Sequence, residues 1–461
     1  LAVSPPALRR AAWFAGVFVA MLTVGCATSL ERQWAGTESG RCARLVASPS
    51  EMHAAAERAL GSVALVPYVV ASTYDADGSV WQPERQPSPG RTAVVSYPRR
   101  TGDQAWDRAF VDVGRSFVYD NALSAIAYTY FGLHARAELL LATLASLQSA
   151  DGSIGFSFNT RGDGFYNRGY VRAGTVAWVG YAFAYFELLT GNQRFREPAL
   201  RAARYLREHP AVSSSAQGGG QAWLVAGGKG RWTQADTVFE GDYVFEGAAT
   251  EHQVDAWYLF DALAELTGEP GWAQSRDELL RGMWRWLWLE DEGRFAQGLT
   301  PRSVDAGMAL DAGGAWSALL LNAIGAADTA QRTLAWVETH FANVDHGLFG
   351  YRPYAGEVAD FEGVNWYGRS LVYVEGTASV ALAHFRNGNA NEAALASASL
   401  LQLQCLAGGA LPYASRFVSQ FPPVEAVAST LWWALAAEEM SGARSVRPIW
   451  RASSAAPRLI P

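Results

Sequence analysis

One pairing recurs along this chain and constrains its fold more than any other feature. An apolar segment rich in small and aromatic residues is followed by a short turn and then by a charged, amphipathic segment. The pairs are residues 119–132 with 134–148, 174–191 with 194–209, 250–268 with 271–288, 313–325 with 329–341, and 373–388 with 391–404. A helix that is apolar on nearly every side must be buried, whereas one with a charged stripe faces water. The first member of each pair is therefore expected inside and the second outside. Gly132, Gly191, Gly268 and Gly325 stand where a first helix should stop. Turns of a few residues make the two helices of a pair antiparallel neighbours.

Two further helical segments have no partner next to them in sequence. Residues 48–65 form one, with Ser48 or Ser50 as its cap, and residues 424–442 form the other. If they pair with each other, the chain closes as a sixth hairpin. The expectation is an all-α (α/α)6 toroid spanning residues 49–445, and closure spares it the polar end caps that an open solenoid needs. Residues 446–461 are set apart as a C-terminal tail. The connections leading from an outer helix to the next inner one pair Gly with aromatics, and several are longer than ordinary loops. They gather at the end where the inner helices begin, which makes that end the expected binding surface.

Composition narrows the partners. The 461 residues carry a net charge of −7, which weighs against nucleic acid, and they include 18 Trp, more than a core alone requires. Seven scattered His, with no HExxH and no Cys-x-x-Cys, suggest neither a metal nor a cofactor. Near the start, Arg9 and Arg10 precede an apolar run, residues 11–24, that is too short to span a bilayer comfortably. The run ends at Thr23-Val24-Gly25-Cys26, which resembles the lipobox of bacterial lipoproteins, although Thr23 departs from the usual Leu. The resemblance implies a signal peptide over 1–25, lipidation of Cys26, a tether over 26–48, and an exported protein held to the cell envelope by a lipid anchor. Cys42 and Cys405 remain. They either form a disulfide, as an exported protein can keep, or stand as separate thiols.

The candidate chemistry lies at the starts of the inner helices. Thr250 and Gln253 fit a capping box, so Glu251 falls in a first turn and Asp255 one turn deeper on the same face. Acidic residues there can serve only as partners of the helix dipole, yet on an inner helix they also face the ring centre. Asp120 precedes the first inner helix as a possible N-cap, with Tyr119 and Asn121 beside it. Glu375 and Glu246 both read Glu-Gly-small ahead of an inner helix and are expected in equivalent places. Asp242, Asp360 and Glu362 lie in the long loops, where solvation alone accounts for them.

Carboxylates opposed across an aromatic cleft suit glycosidic bond cleavage. One must be protonated to donate to the leaving oxygen, and one must be ionised to activate water or attack. Burial against aromatic rings raises one carboxyl pKa and separates the roles. Trp232, Phe295, Trp316, Tyr351, Tyr354, Trp366, Tyr367 and Tyr413 are the aromatic residues offered as platforms for sugar rings. The hairpin alternation and the segments "YDNAL", "TEHQVDAWYLFDAL" and "VEGTASVAL" resemble the six-hairpin glycosidase superfamily over most of the chain. The resemblance implies a toroid acting on oligo- or polysaccharide, with catalytic acids at inner-helix N-termini. On that basis Glu251 is expected as general acid and Asp120 as base or nucleophile, with Asp255 and Glu375 as alternates. Substrate contacts are expected from Tyr119, Asn121, His252, Trp257, Trp316, Tyr354, Trp366 and Tyr367. Two competing readings remain: a polysaccharide lyase or sugar epimerase relying on Tyr119, Asn121, His252 and Arg369, or a non-catalytic lipoprotein that binds glycan or scaffolds a polysaccharide export system.

Overall fold

The structure is a computed structural model. It describes residue 42 and residues 45–68, 91–162, 165–211, 222–233, 238–356, 364–418 and 420–454, with the backbone of 73–74 and 80–81. The expected signal peptide, Cys26, Asp360 and Glu362 lie outside the described residues.

Among the described residues there are twelve α-helices of eight residues or more. They are α1 Pro49–Ser62, α2 Val118–Tyr130, α3 His134–Leu147, α4 Ala173–Thr190, α5 Arg196–Glu208 and α6 Thr250–Thr267. After these come α7 Pro270–Trp286, α8 Trp316–Ala323, α9 Ala327–His340, α10 Val374–Arg386, α11 Ala390–Ala407 and α12 Val427–Ser441. The division into inner and outer helices follows the apolar patterning. In α4 every residue from Ala173 to Glu187 is buried. Its partner α5 buries only Ala199, Ala202, Ala203, Tyr205 and Leu206, a single stripe at helical spacing. Gly191 and Gly268 take the left-handed conformation that ends α4 and α6.

The even-numbered helices form the inner ring, each packed on the next, and α12 returns to α2. α1 packs on α12 as the sixth hairpin. Ser48 caps α1 by accepting from the Glu51 amide at 3.3 Å. Gln404 of α11 donates to the Ala55 carbonyl at 2.9 Å and accepts from the Trp433 indole at 3.3 Å, which ties α11, α1 and α12 together. Just before α1, Cys42 is bonded to Cys405 of α11, closing a loop of 363 residues in sequence. No helix among the described residues is long and apolar enough to cross a membrane.

Two details differ from expectation at the mouth. Short strands occupy the connections read as loops: Arg115–Phe117 pairs with Ser157–Asn159, and Gly228–Thr233 pairs with Val238–Phe245. Backbone groups in long connections must be paired when they pack down, and these ladders pair them. The capping box does not form. Thr250 is already inside α6 and donates to the Ala296 carbonyl, while Gln253 is bound to the Val225 backbone.

The segment set apart as a tail is also built into the ring, at least to residue 454. Ile449 and Trp450 are buried, and their carbonyls accept from Arg386 at the last residue of α10. Packing with α4, α6, α10 and α12 holds this segment at the end opposite the mouth.

Candidate active site

The six inner helices bring different residues to the mouth. The first turns of α2, α6 and α10 present Asp120, Glu251 and Glu375. The fourth inner helix is preceded by a π-turn, Asp311–Ala315, that begins with a further carboxyl. At the corresponding places α4 and α12 have Gly174 and Ala428. One turn deeper these two helices carry Trp178 and Trp432, whereas α6 carries Asp255. Acid-bearing helices thus share one mouth with helices that are small at the rim and aromatic beneath it.

Asp311 escaped the sequence reading, which began the fourth inner segment at Gly313. The available signal was an acid followed by small residues before an inner helix, the same pattern as Glu375-Gly-Thr-Ala. Glu246 is the converse case. It lies exposed after the strand Val238–Phe245, four residues before α6, so the place equivalent to Glu375 belongs to Glu251. Asp120 is the third residue of α2 rather than its N-cap, which is Phe117.

The carboxyls are buried and close enough to influence one another. Glu251 is pushed up to about 8, chiefly by burial and then by the charge of Asp311. Asp120 is pushed up to about 7 by burial, against a hydrogen bond from Ser96. Asp255 is raised well above the usual carboxylate range by burial and then by Glu251, opposed by a hydrogen bond from Trp178. Glu375 is raised by burial and then by Asp311, and Asp311 is raised by burial. Each raised value has the same physical origin: a desolvated negative charge is costly, and a second one nearby adds to the cost. The five acids therefore titrate near neutrality as a coupled set, with some carboxyls neutral beside others that ionise.

Hydrogen bonds fix their orientation. The Tyr119 hydroxyl donates to Glu375 Oε1 at 2.7 Å and accepts from the Trp432 indole at 2.6 Å. The Tyr373 hydroxyl donates to Asp311 Oδ2 at 3.1 Å. His252 is held neutral, its pKa pushed down to about 3 by burial and the Arg172 charge, with Nε2 4.0 Å from Glu251 Oε1. Gly174 leaves room for it: a Cβ there would lie 2.4 Å from His252 Cδ2 and 3.0 Å from Asp255 Oδ2.

The remaining expected contacts divide. Tyr119 binds Glu375, and Trp316 packs against Trp178 and Trp432 with 7% of its surface exposed. Tyr354 belongs to an aromatic wall with Trp366 and Phe421, at 5.3 and 6.2 Å between ring centres. Trp257 and Trp366 are themselves fully buried, so neither presents a ring face to a ligand, contrary to expectation. Trp257 lies six residues past Glu251, which turns it away from the ring centre. Phe295 and Tyr351 are buried in the same way. Asn121 spends its amide on Ser116, Phe117 and the Val94 N–H, a structural role. Tyr367 is 75% exposed, and Arg369 is exposed near it on the outer loop. Among the described residues no group of acids, His or Cys is arranged to hold a metal ion.

No protein-family model matches the chain, and no curated protein matches its sequence. Solved structures do match its fold. A glycosidase variant superposes with a TM-score of 0.54 at 12% identity, covering 86% of this chain and 98% of that one. A glycosidase variant in complex with glucose gives 0.52 at 12% identity over the same shares. A family 76 glycoside hydrolase from a bovine Bacteroides thetaiotaomicron strain gives 0.50 at 12% identity, covering 88% and 78%. The fold is an (α/α)6 toroid, shared with these glycosidase structures.

Proposed function

We propose that this protein is a glycoside hydrolase acting on an oligo- or polysaccharide, with Glu251 as general acid and Asp120 as base or nucleophile. The observation carrying this reading is the convergence of Asp120, Glu251, Asp311 and Glu375 from four inner helices on one aromatic mouth. A carboxyl with its pKa near 8 is protonated at neutral pH and can protonate a leaving glycosidic oxygen. One near 7 is substantially ionised there and can activate water or attack the anomeric carbon. Asp255 and Glu375 are the alternates, and Asp311 joins them as a group that sets the charge around Glu251. The glucose held by one fold relative is consistent with a carbohydrate ligand here. The disulfide between Cys42 and Cys405 suits an oxidising, extracytoplasmic setting, in keeping with export and an anchor at Cys26.

The test is a panel of glycans scored for new reducing ends and for near-ultraviolet absorbance together. Hydrolysis gives the first signal without the second. Glu251→Gln and Asp120→Asn should each lower kcat by about 10²–10⁴-fold. Full activity in both variants would refute the assignment. Sugar epimerisation or lyase chemistry is favoured by one observation, the neutral His252, whose Nδ1 is buried and has no hydrogen-bond partner among the described residues. That reading predicts solvent deuterium entering the sugar ring or an absorbing double bond, with His252→Ala losing both.

A further inference from the structure

The C-terminal segment does more than fill space. Trp450 enters the ring axis from the end opposite the mouth and is 1% exposed. Its indole stacks on Tyr258 of α6, with centres 5.0 Å apart and planes 5° apart. It also meets Trp178 of α4 at 5.1 Å, Trp432 of α12 at 5.3 Å and Trp316 of α8 at 5.3 Å. Two of these rings lead directly to the acids. Trp432 donates to the Tyr119 hydroxyl, which donates to Glu375. Trp178 packs edge-on against Tyr119 at 4.9 Å and stands one turn below Gly174, whose Cα faces Asp255 Oδ2 across a gap that a Cβ would close to 3.0 Å.

The segment is locked at several points. The Trp450 N–H donates to the Tyr181 hydroxyl at 3.0 Å, and its carbonyl accepts from Arg386 at 3.0 Å. Ser453 donates to Asp261 through its amide and its hydroxyl, both at 2.7 Å, and the Arg447 carbonyl accepts from Tyr185 at 2.6 Å. Trp450 itself has φ 55°, a conformation that a bulky residue adopts only where its surroundings enforce it.

We propose that residues 447–453 form a built-in axial plug, and that Trp450 is a positioning residue that sets Glu375 and Asp255 through Trp432, Tyr119 and Trp178. The inference rests on the glycosidase reading for its kinetic consequence but not for its geometric one. Removing the Trp450 ring leaves a cavity beneath Trp432, whose N–H holds the Tyr119 hydroxyl that binds Glu375, and beneath Trp178, which packs on the same Tyr119 ring. A shift of about 1 Å in a reacting group can cost on the order of 100-fold in rate.

The test compares Trp450→Ala, Trp450→Phe and a control, Leu400→Ala, a fully buried residue of the outer helix α11. Tryptophan fluorescence is titrated with pH, and the component lost in Glu375→Gln reports protonation of Glu375 without any substrate. Trp450→Ala should move its midpoint by at least one pH unit and lower kcat at least tenfold with KM changed less than twofold. Trp450→Phe should recover most of both, and Leu400→Ala should show neither despite a comparable drop in Tm. An unmoved midpoint in Trp450→Ala, or the same shift in Leu400→Ala, overturns the proposal. If wild-type protein cleaves no glycan, the hydrolase reading falls while the titration still decides the role of Trp450.

Discussion

At the scale of single residues, the mouth is governed by the cost of desolvating charge. Glu251 rises from an ordinary 4.5 to about 8 through burial and then the charge of Asp311. If Glu251 must be protonated and Asp120 ionised, kcat/KM should rise through about pH 7 and fall through about pH 8. Glu251→Gln should then abolish the alkaline limb along with most of the activity. Stability carries the same signature with a defined sign. A carboxyl whose pKa is higher in the fold binds its proton more tightly there than in the unfolded chain. Its stabilising contribution is complete below the unfolded value of 4.5 and is lost as pH rises toward 8. Glu251→Gln is therefore expected to melt above wild type at pH 9, with the difference shrinking at pH 5. Thermal melts across that range check it, and a difference independent of pH would contradict the assigned burial.

At the scale of elements, the hairpins are shaped by how closely their helices meet neighbouring chain. Gly282 sits inside α7, four residues before its end, where Ala would ordinarily favour a helix by about 1 kcal/mol. Here a Cβ would lie 2.1 Å from the Trp223 carbonyl oxygen, a backbone atom that cannot swing aside. Gly282→Ala should thus destabilise the protein by about 1–3 kcal/mol, the reverse of its helix propensity. Urea unfolding would measure it, and a gain in stability would show that the connection at Trp223 gives way. The inner helices explain why position along an element matters for function. A four-residue step places Asp255 beneath Glu251 on α6, while the same step places Trp178 beneath Gly174 on α4. The acids at the starts of α6, α8 and α10 therefore stand side by side, while α4 and α12, on either side of α2, bring an aromatic ring to the same depth.

At the scale of the whole molecule, the ring is closed three times: by α1 against α12, by the disulfide to α11, and by the plug under the axis. Cys42 and Cys405 span most of the chain, so their bond restricts the unfolded state over a long loop. Cys405→Ser is expected to cost about 2–4 kcal/mol and to expose the α1 region to limited proteolysis. An unchanged melting temperature under reducing conditions would contradict a stabilising role for the bond.

The hairpins, their inner and outer members, the closing partnership of α1 and α12, and the mouth positions of Asp120, Glu251 and Glu375 were all legible in the sequence. Each depends on local periodicity, on turn residues, or on the place of an acid relative to a helix start, and these are properties of short stretches of chain. Asp311 was missed because a π-turn begins its helix earlier than the apolar pattern does. Trp257 was misjudged because its direction depends on what packs around α6 rather than on its neighbours in sequence. Nothing local distinguishes residues 446–454 from an ordinary tail, since their partners Tyr181, Tyr185, Asp261 and Arg386 lie far away in sequence. The sequence by itself determined that a ring would form and which end would carry acids. Only the tertiary structure decided which acids meet, which rings reach the cleft and what seals the axis, because burial and charge coupling arise between segments that come together only when the ring closes.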